Sequence, residues 1–361
     1  LFGALLLATL VACSPAVVAP AAAPTAAPPQ PTIAITPSLE PPPSLAPFPT
    51  PTLEPGAFVP ADLDGVLTSP ELAHRLPIGV SIDDSRAARP QSGFNAASMV
   101  WQAHADGYES RYLLVFQEQD SAAIGPVRSA RNFLAHWTAE LRGALAHYGG
   151  DRLTRQWMVA HRRELFTDID GMGAGNPAYH RTHDRAAPHN AYTSTADLWR
   201  VAGKLGGAAA INAAVHVRPF RDDSPETLRG ASQAITVPYH TVSIGYRYDP
   251  ATYAYLRSVN GKPHIDPGDG KRVTARTVVV LFMKFRTDSH IEPGHNRPVL
   301  TYIGSGKALF FMEGKVVQGS WSKTGEVRPT MFLGPDGNEL PLIRGRIFVQ
   351  VVMPSTKVTV H

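Results

Sequence analysis

Residues Tyr112–Asp151 read YLLVFQEQDSAAIGPVRSARNFLAHWTAELRGALAHYGGD and place strand, turn and helix signals in succession. Tyr112–Phe116 is an apolar run of strand length, and Gly125-Pro126 marks a break in the chain beyond it. Phe133, Leu134, Trp137 and Leu141 then recur at helical spacing until Gly143 interrupts them. Ala144–Tyr148 reads as a second strand, and Gly149-Gly150-Asp151 turns into a helix near Leu153–Ala160. Upstream, Pro77–Ile82 reads as a strand and Arg89–Gly93 as a turn, with Asn95 capping a short helix through Ala96, Ala97 and Met99. The alternation predicts an α/β region over 65–227.

Beyond it, over 228–361, the composition turns to β-formers. Strands are predicted at Ala234–Val242, Tyr253–Ser258, Thr277–Phe285, Leu300–Ile303, Ala308–Met312, Val316–Trp321 and Ile347–Val352. Glu313-Gly314-Lys315 closes a hairpin and Asp336-Gly337-Asn338 a turn, so this region is mostly antiparallel. Gly304-Ser305-Gly306-Lys307 lacks the spacing of a phosphate-binding loop and precedes a strand; it reads as a glycine turn. The fold class expected is therefore α+β, an α/β region followed by a β-rich one.

Ahead of both lies a stretch of another kind. Of the 33 prolines, 15 fall between Ser14 and Pro60, a span whose charged side chains are Glu40 and Glu54 alone. Proline at that density denies backbone hydrogen bonds to helix and sheet, so 13–64 is expected to be a disordered, extended tether of roughly 3 Å per residue. Residues 1–12, LFGALLLATLVA, resemble the apolar part of a signal peptide entered partway, and Leu10-Val11-Ala12-Cys13 matches the lipobox in which Cys13 is acylated. Two or three acyl chains would hold a folded domain at a membrane stably. The expectation is an extracytoplasmic protein anchored through Cys13. With one cysteine the chain cannot be disulfide-stapled, and no later apolar run is long enough for a second span.

Several polar groups fall where α/β sheets gather ligands, at strand ends. Asp83, Asp84 and Arg86 follow one strand, and His147 and Asp151 flank the end of another. Arg128 and Arg131 sit at i and i+3 in the predicted first turn of a helix, where they would share a face and suit a phosphate or carboxylate. Arg185, His189 and Asn190 belong to a His-rich loop expected to pack near that pair. These ten residues are the candidate anion-binding cleft. The competing reading is that the arginines make structural ion pairs with Asp83, Asp84 or Asp106. Three histidines, His180, His183 and His189, lie within ten residues, but Pro188 and the absence of a nearby cysteine argue against a metal set, so none is expected. Ser129 lies near the predicted cleft without the G-x-S-x-G elbow of a nucleophilic serine. The net charge of +4, from 26 Arg and 8 Lys, forms no basic stripe interleaved with aromatics, so no nucleic-acid partner is expected.

Ala88–Gly93, Gly125–Arg131, His147 with Gly149-Gly150, and Arg185–Asn190 resemble the amino-terminal domain of the YerB-like lipoproteins. Gly304–Lys307, Gly314-Lys315, Gly319-Ser320-Trp321 and Pro329-Thr330 resemble that family's carboxy-terminal domain. The resemblance spans nearly all of 70–353 and implies a two-domain bacterial envelope lipoprotein. The family's function is uncharacterised, so it supplies no catalytic residue. Asp84 stands where members often carry Asn, and Gln102 and Asp106 where they often carry Glu. Three functions are carried as expectations. The first is a cofactor-free binder of an anionic cell-wall polymer or lipid-linked phosphate. The second is a phosphotransferase acting on a lipid-linked glycopolymer precursor, in which Mg²⁺ would enter. The third is a protein–protein scaffold.

Overall fold

The computed structural model describes residues 58–162, 164–206, 216–292 and 294–361. Cys13, the signal-like stretch and most of the proline-rich tether lie outside them. The end of the expected tether does not: Val59–Pro60 pairs with Leu67–Thr68, and Ala61 and Leu63 are buried. Apolar side chains among the last prolines were enough to draw 58–64 into the folded part.

The fold is α+β. Ten strands form one mixed sheet: β1 (Ile78–Asp83), β2 (Met99–His104), β3 (Ser110–Phe116), β4 (Ala144–His147), β5 (Thr167–Asp170), β6 (Thr277–Phe282), β7 (Gly304–Met312), β8 (Lys315–Lys323), β9 (Met331–Leu333) and β10 (Ile347–Val352). Their order across the sheet is β9-β8-β7-β6-β10-β2-β3-β1-β4-β5. The α/β region thus supplies one half and the β-rich region the other. They meet where β10 runs parallel to β2, with Val349 opposite Trp101 and Gln350 opposite Gln102.

Alternation along these strands sorts the core into two faces. Met99, Trp101, Leu113, Val115, Val279 and Val349 point to one face, where helix α1 (Asn132–Glu140) lays Phe133, Leu134 and Trp137. Trp137 stacks on Trp101 with ring centroids 4.4 Å apart. Val80, Ile82, Tyr112, Leu114, Val278 and Phe348 point to the other face, against a six-stranded antiparallel sheet that includes Ala234–Pro238, Ser243–Asp249 and Ala254–Val259. Helix α2 (Arg152–His161) adds Met158 to the first face, and α3 (Thr195–Lys204) adds Leu198 and Val201 to the second.

Some local elements differ from those read in sequence. Asn95 lies in a single 3₁₀ turn, Phe94–Ala96, and Met99 opens β2 rather than closing a helix. β2 is buried on both faces, so its sequence MVWQAH carries no strict alternation to distinguish it from helix. Gly304–Lys307 begins strand β7 and is not a turn. A Cβ on Gly306 would lie 2.7 Å from Trp321 Nε1 and 2.8 Å from the Phe282 carbonyl oxygen, so glycine there lets the indole lie across the strand. Gly143 does end the helical stripe, because a Cβ there would lie 2.5 Å from the Pro77 carbonyl oxygen that Ala144 N–H bonds at 2.8 Å. Glu313 and Gly314, at φ 52° and 72°, form the predicted hairpin turn.

Two buried cations tie the layers together. Lys323 of β8 donates to Glu140 at the end of α1, which also accepts from the Thr330 hydroxyl at 2.8 Å. Arg257 of the antiparallel sheet is fully buried and reaches across to the large one. It donates to Tyr112 Oη at 3.0 Å, Gln102 Oε1 at 3.2 Å and His264 Nδ1 at 2.6 Å. Burial, reinforced by Arg257 and Arg272, lowers the His264 pKa to about 2, so its neutral ring can accept. Arg257 Nε also donates to Tyr246 Oη at 3.3 Å, so replacing Arg257 with Met leaves four buried partners without their donor and should cost about 3 kcal/mol. Urea denaturation should show that loss in one cooperative transition for both halves; a loss under about 0.5 kcal/mol would show that Arg257 does not join the layers.

Candidate functional site

The chain leaves β1 at Asp83 and turns back through Ser85 and Arg86, which places acid, hydroxyl and base within four residues. Asp83 Oδ1 accepts from Ser85 N–H at 3.0 Å, and Oδ2 lies 2.7 Å from His189 Nδ1. Arg128 Nε stands 3.5 Å from the same oxygen. Burial pushes the Asp83 carboxyl up, but the Arg111 charge, the Ser85 amide, His189 and Arg128 outweigh it and hold the pKa below the ordinary carboxylate value. Ser85 Oγ also reaches His189 Nδ1, at 3.2 Å. Hydroxyl and carboxylate therefore address one ring nitrogen. A nucleophile–base relay needs them on opposite nitrogens, so this trio holds charge rather than activating Ser85.

Beside it, Asp106 collects three arginines. Arg131 donates to it from Nε at 2.9 Å and from Nη2, Arg297 donates from Nη1 at 3.1 Å, and Arg111 Nη2 lies 3.7 Å away. Burial pushes Asp106 up, but Arg131 and then Arg111 outweigh it and bring its pKa down to about 2. Arg111 is buried between the two acids and donates to the Ser129 carbonyl at 2.9 Å. Burial first and the Arg131 charge next press its guanidinium downward. Glu109 adds a third carboxylate, raised by burial and then by Asp83. The guanidinium groups of Arg111, Arg128, Arg131 and Arg297 thus surround the carboxylates of Asp83 and Asp106, while Arg89 and then Arg111 bear on Glu109.

Within that group Arg128 differs. Arg131 is spent on Asp106 and on the Ala130 carbonyl. Arg128 makes no side-chain hydrogen bond among the described residues, and its side chain is 31% exposed. The two do not share a helix face: α1 starts at Asn132, Arg131 is its extended N-cap, and Arg128 lies before it in extended chain. Its amide bonds the Ser81 carbonyl of β1 and its carbonyl accepts from Tyr148 N–H. The segment 126–131 is thus drawn into the gap between β1 and β4, and that pairing delays the helix. Arg86 is exposed one residue past Ser85.

The other expected cleft residues are placed elsewhere. Asp84 is buried and saturated: Arg89 Nε and Gln91 Nε2 donate to it at 2.9 Å, Gln102 Nε2 at 3.2 Å, and Ser110 Oγ more closely. Asp84 and Gln102 therefore touch. His147 is buried with Nδ1 2.8 Å from the Gly149 carbonyl and Nε2 2.8 Å from Asp168. Asp151 caps α2, accepting from Thr154 N–H at 2.9 Å. Arg185 donates to the Ala88 and Pro90 carbonyls at 2.7 and 3.3 Å, clamping the Arg89–Gly93 turn. Asn190 accepts from Arg181 at 2.6 Å and bonds the Thr182 carbonyl, bracing its own hairpin. Ser129 Oγ donates to the Tyr148 carbonyl at 3.2 Å. His180 and His183 are exposed. So Asp83, Arg128 and His189 come together, and the other expected residues, exposed Arg86 apart, are committed to partners of their own fold.

Arg111, Arg297 and Asp168 were not singled out in sequence. Arg111 opens an apolar strand and Arg297 lies 191 positions from Asp106, so chain spacing carries no trace of either contact.

A mixed sheet packed between helices and an antiparallel β layer, with an arginine–carboxylate cluster at its strand ends, is the architecture of a two-part α+β protein. Residues 63–208 match the N-terminal domain, and 235–349 the C-terminal domain, of a protein family of unknown function, DUF3048, and the chain belongs to that family. It is 26% identical over 297 residues to a Bacillus subtilis (strain 168) protein named "Putative lipoprotein YerB", covering 81% of this chain and 86% of that one. The crystal structure of Bacillus subtilis YerB shares the fold, with a TM-score of 0.71 and 23% identity, over 83% of this chain and 99% of that one.

The cluster has a pH signature. The folded pKa of Asp106, about 2, lies below its ordinary 3.8, so its contribution is complete above about pH 4 and is lost as pH falls through 2. The shift corresponds to about 2 kcal/mol. Wild type should exceed Asp106→Asn in stability by that order at pH 6, and the two should converge toward pH 2 in guanidinium titrations. A gap independent of pH would remove the ion pairs as its cause.

Proposed function

We propose that this chain is an envelope lipoprotein, anchored through Cys13, that binds an anionic envelope group, a phosphate or carboxylate, at the end of β1. The observation that supports it most is Arg128. Of the arginines around Asp83 and Asp106, Arg128 is the partly exposed one whose side chain makes no hydrogen bond among the described residues. An anion there would take up its donors and offset the guanidinium charge that bears on Arg111. Exposed Arg86, three residues past Asp83, would supply a second cation, while Arg111, Arg131 and Arg297 hold the floor in place. A guanidinium suits this task, since its donors match phosphate and carboxylate oxygens in pairs. Binding rather than covalent chemistry is favoured by Ser85, whose hydroxyl shares a ring nitrogen with Asp83. The anchor rests on the lipobox at Leu10–Cys13 and on the name of the Bacillus subtilis relative.

Inorganic pyrophosphate serves as the probe. At saturation it should raise the wild-type melting temperature by about 2–4 °C. Arg86→Ala/Arg128→Ala should lose the rise while keeping the ligand-free melting temperature; no rise in either protein removes the site. For the anchor, Cys13→Ser should move the expressed protein from the membrane fraction to the soluble one, and unchanged retention would exclude acylation as the tether.

A further inference from the structure

A cleft of about 810 Å³ opens at the far side of the large sheet, among the end of β6, the start of β7, β8 and the segment after β10. Its walls carry Phe282, Leu309 and Trp321, and its rim carries Lys284, Lys307 and Lys357. Three of the eight lysines in the chain thus surround one cavity, and among the described residues no carboxylate lines it. All three are exposed, and none makes an ion pair among the described residues. Lys307 lies 5.6 Å over the Phe282 ring. The aromatic wall is held firmly: Trp321 Nε1 donates to the Phe282 carbonyl at 3.0 Å, and Gly306 gives the indole its room. The glycine–serine–glycine–lysine stretch at 304–307 therefore forms one side of the cleft as extended strand.

We infer that this cleft binds an amphipathic anion, an apolar body carrying a phosphate or carboxylate, independently of the arginine cluster. The volume fits a ligand of small-molecule size, and the ring-bearing wall would bury its apolar part. Like charges around a concave, low-dielectric wall raise the local concentration of anions, and an incoming anion cancels their mutual repulsion. Lysine stems are long and flexible, so the three ammonium groups can close on an anion whose orientation is set by its apolar body. An inorganic anion leaves the wall unused, and an uncharged amphiphile leaves the rim unpaired. Both halves of the ligand are therefore required.

Calorimetric titration of the full chain with dodecyl phosphate, below its micelle concentration, tests this. Wild type should bind one molecule, with inorganic phosphate and dodecyl maltoside each at least tenfold weaker. Lys284→Gln/Lys307→Gln/Lys357→Gln should weaken dodecyl phosphate at least tenfold at an unchanged melting temperature, and Arg128→Ala should bind it as wild type does. In ¹⁵N spectra the ligand should shift the amides of Gly304–Lys307. Equal binding by wild type and the lysine variant, equal binding of inorganic phosphate, or unmoved amides at 304–307 would each overturn the inference. Because Arg128→Ala is carried alongside, failure here is distinguishable from failure at the arginine cluster.

Discussion

Arg257 carries a full charge into a fully buried place, and the arrangement of the molecule follows from how that charge is answered. It sits on the antiparallel sheet, yet its acceptors Gln102 and Tyr112 belong to the large one. Gln102 passes the interaction on, accepting from Arg257 through its oxygen and donating to Asp84 through its nitrogen. The nearest negative charge in that chain of contacts is thus one amide away. Phe94, Tyr112, Tyr246 and Phe348 enclose the guanidinium with ring centroids 5.4–5.9 Å from it. A buried cation whose partners lie in another layer leaves few ways for that layer to slide or rotate. Asp84 in turn holds Arg89 and Gln91, so the same network shapes the loop that begins at Asp83.

That loop shows how adjacent residues can take opposite roles. Asp84 faces inward and is saturated by side chains of its own fold. Asp83 faces the strand end and meets His189, Ser85 and Arg128. Alternation at the end of a strand is enough to send one carboxylate to the interior and the next to the rim. The surrounding arginines divide in the same way: Arg111 and Arg131 are buried, and Arg128 is partly exposed. Internal pairs set the geometry, and the Arg128 side chain makes no hydrogen bond among the described residues.

Much of this was legible in the residues. The helix at Phe133–Leu141, the strands at Ile78, Tyr112, Ala144 and Ile347, and the Glu313-Gly314 turn are written in period and turn chemistry. The β2 strand was hidden because both of its faces are buried, and Gly304–Lys307 because glycines opposite a tryptophan look like a loop. At the site, Asp83 is identifiable from its place at a strand end, Arg128 from the segment leading into the helix, His189 from the His-rich loop expected near the arginines, and the Asp106–Arg131 pair from the alternative of structural ion pairing. Arg111, Arg297 and Arg257 are not, because each partner arrives from distant chain through a tertiary contact. The continuity of one sheet through both sequence regions is equally invisible, since β10 finds β2 across some 250 residues.

The relay from Arg257 to Asp84 is tested most directly by a double-mutant cycle in urea, with Arg257→Met, Asp84→Asn and both together. Arg257 and Asp84 are joined only through Gln102, so contact energy alone predicts additivity within about 0.5 kcal/mol. A shared charge network predicts a coupling of at least about 1 kcal/mol, with Asp84→Asn costing less once Arg257 is gone. Additive losses would contradict the relay and leave the two residues as independent supports of separate layers.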